Sequence, residues 1–193
     1  MKILVLTDIH AAYDTAESIL RRVAPDVLII GGDLATAGVD REAGQALSRS
    51  RSHVPALFCV AGNLDLPGHD ELFARIDISL NGRGVRLGDV GFCEAFGAPL
   101  SRLRTPYELP EVGIERRLRA GDGEVEECRI IILAPHAPPF GTHVDILHLG
   151  IHAGSSAVRE VIEDRSPDVV VCGHIHQGRG EDVIGKTKIV CCG

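Results

Sequence analysis

The chain alternates short apolar runs with segments whose apolar residues recur at helical spacing. Five runs have the length and composition of buried strands, and they occupy residues 2–7, 26–30, 55–61, 128–134 and 167–172. Helical spacing follows three of them, in segments that begin near residues 14, 40 and 156. Because the strand-like runs are apolar on both faces, this alternation predicts a largely parallel sheet covered by helices.

The helix signals are clearest in the first part of the chain. Asp14-Thr15-Ala16-Glu17 resembles a capping box, so the first helix is expected to begin there and to end before Pro25. A second helix is predicted over residues 40–50, with apolar residues on one face.

The middle of the chain is less regular. The pattern predicts short helices over 71–76 and 112–120, the second followed by a hairpin or loop, and strands over 79–87 and 89–94. Arginines at 116, 117 and 119 could reach a phosphate, although a solvated helix face is the favoured interpretation. The long segment after Phe140 has the length of a loop that is either functional or disordered, and a last hairpin is predicted around Gly185.

Length and composition narrow the class of protein. The length corresponds to one domain, and we treat residues 1–193 as a single domain. No apolar run is long enough to span a bilayer. Asp8 and His10 lie where the apolar region of a signal peptide would be, so we expect a cytoplasmic protein. A formal net charge of -7 disfavours nucleic-acid polymers as partners. The six cysteines lack any C-x-x-C spacing, which argues against a thiolate zinc site and favours reduced thiols.

Residues with metal-binding side chains follow all five strand-like runs, at the points where the runs end. They are Asp8, His10, Asp33, Asn63, His136, His174 and His176. Each alone is explained as a helix cap, a turn residue or a loop histidine. Because the carboxyl ends of parallel strands meet at one edge of a sheet, their recurrence on five strand ends favours a shared site.

The chemistry of these seven residues indicates what they would bind. Carboxylates, imidazoles and an amide oxygen, without a thiolate, suit manganese, iron, cobalt, nickel or zinc. Seven donors are too many for one such ion with an open position. They suit two divalent ions about 3.5–4 Å apart that share a carboxylate, an arrangement that binds phosphate and activates water. An extended chain after Gly173 would point the His174 and His176 side chains to the same side.

Taken in order, five motifs resemble the signature of the calcineurin-like metallophosphoesterases. The motifs are Asp8-x-His10, Gly32-Asp33, Gly62-Asn63-x-Asp65, His136 and Gly173-His174-x-His176. The match spans nearly the whole chain, and the stretches 135–142 and 152–155 are similar to those of small prokaryotic phosphoesterases of this superfamily. The resemblance implies an α/β fold, a four-layer α/β/β/α sandwich of two mixed β-sheets flanked by helices.

The resemblance also implies a role for each of the seven residues. One ion would be held by Asp8, His10 and His176, and the other by Asn63, His136 and His174, with Asp33 bridging. A hydroxide between the ions would attack phosphorus in line, with Asp33 and Asn63 as catalytic residues. Manganese is the expected metal, and iron, zinc, nickel or cobalt are the alternatives.

One departure from the family pattern concerns the leaving group. Many members carry a histidine after the asparagine, which is taken to protonate the leaving oxygen, whereas this chain has Leu64. A general acid typically contributes about 10²–10⁴-fold, so its loss would favour diesters with good leaving groups. Of His143, His148 and His152, we expect His152 to be the catalytic replacement, since it precedes a predicted helix start that could bind an anion.

Three functions are compatible with this pattern. We expect a metal-dependent phosphodiesterase acting on a small phosphoester, with a phosphomonoesterase of phosphoproteins or nucleotides as the alternative. A non-catalytic metal-binding scaffold, as in a retromer subunit of this fold, is disfavoured because all seven donors are present. No membrane partner is expected, and a homo-oligomer is compatible with the sequence.

Overall fold

The strands of the computed structural model, which describes residues 1–36 and 43–193, form two main β-sheets. The first contains three parallel strands in sequence order, namely β1 (Ile3–Leu6), β2 (Val27–Gly31) and β3 (Ala56–Val60). The second is mixed and contains β4 (Gly84–Leu87), β5 (Val90–Cys93), β8 (Ile130–Leu133), β9 (Val169–Cys172), β10 (Gly180–Ile184) and β11 (Thr187–Cys191). Its strand order is β10-β11-β9-β8-β5-β4, and a separate short pair joins β6 (Ala98–Pro99) to β7 (Glu108–Leu109).

Helices cover both sheets. They are α1 (Tyr13–Val23), α2 (Ala43–Arg51), α3 (Pro67–Arg75), α4 (Glu111–Val125) and α5 (Ser156–Arg165). Helices α1, α2 and α3 contact the first sheet, whereas α4 and α5 pack together against the second. The sheets face each other across an apolar core in which the rings of Phe58 and Phe92 lie 6.0 Å apart. The predicted α/β class, with β-sheets flanked by helices, is confirmed, although of the two main sheets only the second is mixed.

The apolar runs determine which strands lie deepest. All five residues of β2 are buried, because this strand lies between β1 and β3 and has no free edge. Burying each of its aliphatic side chains contributes about 1.5–3 kcal/mol. In the second sheet, β8 and β9 pair in parallel, as do β9 and β11. The chain therefore leaves β8, β9 and β11 at one end of the second sheet, just as it leaves the parallel strands of the first sheet at one end. The polar residues lie at these ends. Among the helices of the described residues, none has the length and hydrophobicity needed to cross a membrane.

Two helix starts differ from the sequence expectation. Helix α1 begins at Tyr13 after Ala12, without a side-chain cap, and the Glu17 carboxylate bonds to Arg21 instead. The predicted capping box is therefore wrong. Helix α3 begins at Pro67, earlier than predicted, because proline fits the first helical position. The helix predicted over 40–50 is present as α2, and its first predicted residues lie outside the described part of the chain.

The middle segments also differ in extent. Helix α4 continues to Val125, so the loop or hairpin predicted after residue 120 is wrong. A Cβ atom at Gly121 would lie 2.7 Å from the Arg83 carbonyl oxygen, so glycine permits close packing here rather than ending the helix. Of the strand predicted over 79–87, only β4 is continuous. Ser79 makes a single bridge to the first sheet, and Asn81 makes one to the residue after β5, so this segment links the sheets.

Candidate metal centre

The seven donors predicted from the sequence converge at the carboxyl ends of five strands drawn from both sheets. The first sheet contributes Asp8 and His10 after β1, Asp33 after β2 and Asn63 after β3. The second sheet contributes His136 after β8, and His174 with His176 after β9. Two overlapping groups have donor atoms within 4.8 Å of one another, and Asp8 belongs to both. The centre therefore lies where the ends of the two sheets meet.

One side of the centre is open to solvent, and we call Asp8, His10 and His176 the open side. The His176 Nε2 atom lies 3.3 Å from Asp8 Oδ1 and 3.3 Å from His10 Nε2. The His10 Nε2 atom lies 3.9 Å from the same carboxylate oxygen. The side chain of His176 is 54% exposed and that of His10 is 25% exposed, so a small molecule can approach from here.

The opposite side is enclosed by protein, and we call Asn63, His136 and His174 the buried side. The Asn63 Oδ1 atom lies 2.9 Å from His136 Nε2 and 2.7 Å from His174 Nδ1. His136 is fully buried, and its Nδ1 bonds to the Gly31 carbonyl oxygen at 2.8 Å. That bond assigns the proton to Nδ1, which leaves a lone pair on Nε2 facing the centre.

Asp33 lies between the two sides. Its Oδ1 atom is 3.6 Å from His136 Nε2 on the buried side, and its Oδ2 atom is 4.0 Å from His10 Nε2 on the open side. The Leu64 backbone N–H donates to Oδ1 at 2.8 Å and so restrains this carboxylate. Glycine is required at position 62, since a Cβ atom there would overlap this carboxylate.

The backbone at the centre is strained. Asp8, His10, Asp33 and His174 have φ angles of 52°, 46°, 49° and 67°, in the left-handed region that non-glycine residues rarely adopt. Such strain costs about 1–3 kcal/mol per residue and persists only where surrounding contacts enforce it. The extended path considered for the chain after Gly173 is therefore wrong. Because His174 turns, its side chain faces Asn63 while that of His176 faces Asp8.

Residues outside the set of seven hold the donors in place. Thr7 donates its hydroxyl to Asp8 Oδ2 at 2.7 Å, and the His174 backbone N–H donates to the same carboxylate. Asp65 accepts hydrogen bonds from the backbone N–H groups of Leu34, Ala35 and Gly62, which ties two donor loops together. The Gly-Asn-x-Asp spacing signalled Asp65 in the sequence, whereas no pattern marked Thr7.

The electrostatics of the centre favour a bound cation. Burial, together with the carboxylates of Asp65 and Asp8, raises the pKa of Asp33. Burial opposes a charge on His136, but the carboxylates of Asp33 and Asp8 outweigh it and raise the pKa of that ring. Burial and the neighbouring His136 lower the pKa of His174 to about 3, so its ring is neutral and can donate a lone pair. The raised pKa of Asp33 means that its carboxylate lacks compensating positive charge, which a bound metal ion would supply.

The donor geometry also fits divalent transition metals. Bonds from such ions to nitrogen and oxygen are about 2.0–2.2 Å long, which places neighbouring donor atoms roughly 3 Å apart. Most separations between neighbouring donors here lie between 2.7 and 3.9 Å. All seven donors are nitrogen or oxygen, as manganese, iron, cobalt, nickel and zinc accept. The residues present therefore fit the metal that their pattern predicts.

His152 lies in a different environment from the seven donors. Its Nδ1 atom lies 2.7 Å from Asp145 Oδ1, and its ring packs against Phe140. Asp145 is buried and also accepts backbone N–H groups of the loop, so the pair organises residues 141–154. The cleft that His152 lines is about 700 Å³, and none of the seven donors lines it. The structure therefore does not bring His152 into hydrogen-bond contact with them in the described residues.

The other candidate residues also have partners elsewhere. His143 pairs with Asp182 at 3.3 Å, and His148 Nε2 lies 3.2 Å from Gln177, next to His176. Arg119 bonds to Glu115 and Asp164, as expected for a solvated helix face. The Arg117 guanidinium lies 4.5 Å above the Phe96 ring. Arg116 and Arg119 are exposed, as the favoured interpretation expects, whereas Arg117 is partly buried and does not belong to a solvated face.

Comparison with known proteins identifies related sequences. The model of the family described as calcineurin-like phosphoesterase matches residues 1–178. The uncharacterized protein MJ1162 of Methanocaldococcus jannaschii is 31% identical over 194 residues, which cover 98% of this chain and 87% of that protein.

Comparison of structures supports the fold. The crystal structure of TT1561 of Thermus thermophilus superposes with a TM-score of 0.73 at 16% identity, covering 99% of this chain and 88% of that one. GAP50, the anchor in the inner membrane complex of Plasmodium, gives a TM-score of 0.54 at 13% identity, covering 100% and 71%. At these identities the similarity establishes the fold alone.

Proposed function

The chain belongs to the calcineurin-like phosphoesterase family, and we propose that it is a dinuclear metal-dependent phosphodiesterase. Family membership implies metal-dependent hydrolysis of phosphoesters. The proposal of two ions rests on one observation, which is the position of Asp33. One of its carboxylate oxygens faces the buried side and the other faces the open side, which would allow this carboxylate to bridge two ions.

The residues of the two sides would have different roles in binding the ions and the substrate. Asn63, His136 and His174 would hold one ion, and Asp8, His10 and His176 the other. When bound, the pair of ions supplies a water acidic enough to attack at neutral pH and positive charge for the phosphoryl oxygens. The open side would admit the phosphoester, since its histidines are partly exposed. Leu64 presents its backbone N–H to Asp33 and so holds the bridging carboxylate in one orientation.

Two features favour diesters with good leaving groups. Leu64 has no proton to give to the leaving oxygen, so an anion that is stable by itself would leave most readily. Two of the three arginines that could have bound a second phosphate charge, Arg117 and Arg119, are engaged on their own helix and with its neighbours. A diester carries one negative charge fewer than an ionised monoester and needs less compensation.

His152 as the general acid stays a prediction. Because its Nδ1 is engaged with Asp145, only Nε2 could donate a proton to a leaving group. If it does so, His152→Ala should lower the turnover of a diester with a poor leaving group by about 10²-fold and that of a nitrophenyl diester much less. Equal losses on both substrates would remove His152 from the mechanism. Manganese as the metal, a cytoplasmic location and a homo-oligomer are likewise proposals.

The function is tested by metal analysis together with a pair of substrates. Protein stripped with a chelator and reloaded with Mn²⁺ should bind two ions per chain and hydrolyse bis-p-nitrophenyl phosphate faster than p-nitrophenyl phosphate. The reverse preference would support a phosphomonoesterase. Two bound ions without turnover of either substrate would contradict the proposal and favour a non-catalytic scaffold.

A further inference from the structure

A buried thiol lies beneath the loop that carries His174 and His176. Cys191 is the last residue of β11 and is paired in register with Cys172, the last residue of β9. It is only 2% exposed. Its Sγ atom lies 3.6 Å from the Gly173 carbonyl oxygen and 3.8 Å from that of Ile175, within reach of a thiol hydrogen bond. The thiol therefore contacts the residues on both sides of His174.

The loop above the thiol needs such support because its backbone is strained. His174 has a φ of 67°, and the Ile175 backbone N–H bonds back to the Gly173 carbonyl oxygen at 2.7 Å. The backbone N–H of His174 bonds to Asp8, and that of Gly173 bonds to the His136 carbonyl oxygen. These bonds hold the N–H groups of the turn, whereas Cys191 approaches its carbonyl groups from the strand below.

The sulfur itself is held in one position. It accepts a hydrogen bond from the Gly193 backbone N–H. The hydrogen of the neighbouring Cys172 thiol points away from it, to the Val190 carbonyl oxygen at 3.6 Å. A thiol with its acceptor side occupied in this way directs its own hydrogen towards the loop carbonyls.

We propose that Cys191 is a positioning residue of the metal centre, whose single thiol hydrogen, shared between the carbonyl oxygens of Gly173 and Ile175, orients His174 and His176. This inference rests on the proposed function, because the two histidines serve opposite sides of the centre. Cys191 touches neither the substrate nor the donor atoms. Its effect is to limit the conformations of the turn, so that both imidazoles are presented together.

The competing explanation is that Cys191 only fills the core. Cys93 provides a matched control, since it is 1% exposed, ends β5 of the same sheet and packs in the same apolar cluster as Cys191. A filling role predicts that Cys191→Ala and Cys93→Ala behave alike. A positioning role predicts that only Cys191→Ala affects the loop, and that Cys191→Ser, which keeps a donor, restores it.

Two measurements test the inference. Hydrogen exchange of the metal-free protein reports the order of the Gly173, His174 and Ile175 amides, and titration with Co²⁺ followed by visible absorption reports affinity for a metal. We expect faster exchange and about tenfold weaker Co²⁺ binding in Cys191→Ala, the size typical of losing a partner behind a ligand. Cys191→Ser should stay close to the native protein, and Cys93→Ala should lower only the melting temperature.

The outcomes separate this inference from the proposed function. Native exchange and native Co²⁺ affinity in Cys191→Ala, or an equal loss in Cys191→Ser, would overturn the role of Cys191. Co²⁺ binding without hydrolysis of any phosphoester would overturn the proposed function and leave the exchange comparison valid. If Cys191→Ala does not fold, Cys191→Val fills the volume without a donor and is expected to give the same exchange and binding changes.

Discussion

The two sides of the metal centre are built differently. On the buried side, His136 is fully buried and bonded to a carbonyl of the neighbouring sheet, and Asn63 lies between two ring nitrogens. On the open side, His10 and His176 are partly exposed. The donors of the buried side are thus packed into the protein interior, whereas two of the donors on the open side are accessible to solvent. We expect the buried side to hold its metal more tightly and the open side to admit the substrate.

The largest expected effect comes from removing the residue that joins the two sides. Asp33→Asn keeps the shape but removes the charge shared between them, and activity should fall by about 10²–10³-fold, as when one electrostatic element of an active site is lost. Turnover of bis-p-nitrophenyl phosphate and metal content measure the change. Asp89→Asn, a change at an exposed carboxylate, should leave both at native values. Native turnover in Asp33→Asn would refute a bridging role.

The next largest effect is a difference in protein stability between a variant of the buried side and a variant of the open side. His136→Ala creates a cavity and leaves the Gly31 carbonyl without its partner, so the metal-free protein should lose about 2–4 kcal/mol of unfolding free energy. His176→Ala removes an exposed ring and should cost within about 0.5 kcal/mol. Urea unfolding after chelation gives both values.

The same pair of variants also tests the assignment of ligands. Each should retain one ion per chain, and anomalous scattering should locate that ion on the side that was not altered. Equal stability losses, or retention of both ions, would show that the two sides are not distinct.

A smaller gain is expected from restoring an acid beside the buried side. Leu64→His places an imidazole after Asn63, and turnover of a phenyl diester should rise about tenfold, less than the 10²–10⁴-fold that a well-placed acid contributes. The ratio of phenyl to nitrophenyl diester turnover measures the effect. Leu64→Gln, which is polar but not acidic, is the control. A rise shared by both variants would point to access rather than proton donation.

The smallest effect concerns the loop that packs on Asn63. The Tyr107 backbone N–H donates to the Asn63 carbonyl oxygen. Next to it, burial opposes the charge of Glu108, but hydrogen bonds from Ser101 and Thr105 outweigh it and lower the pKa of Glu108 to about 2. A lowered pKa stabilises the fold above the unfolded value of 4.5, and the stabilisation disappears as the pH falls towards 2.

Glu108→Gln should therefore reduce the urea midpoint at pH 7 and less so at pH 3.5. Glu160→Gln, an exposed change on α5, should show no such pH dependence. If Glu108→Gln lowered the urea midpoint by the same amount at both pH values, the charge of the carboxylate would not be what stabilises the loop.

Much of the site could be predicted from the sequence because each donor is encoded locally. A buried strand followed at once by a polar residue is visible in the pattern, and five such strands gave seven donors that the fold brings together. The family resemblance supplied the two sheets, which apolar periodicity could not, since it reports burial and not the strand with which a run pairs. The sequence pattern does not predict the full extent of α4, because Gly121 resembles a helix end. In the structure this glycine instead lets the helix pack closely against the Arg83 backbone.

By itself, the sequence determined the five buried strands that precede the donors, the donors at their ends and the kind of metal that those donors suit. Only the tertiary structure decided how the donors divide into a buried and an open side, how His174 turns away from His176, and that Cys191 lies under their loop. These features depend on contacts between residues up to 168 positions apart, such as His176 with Asp8. Local preference cannot specify such contacts, because they form only when both sheets are assembled.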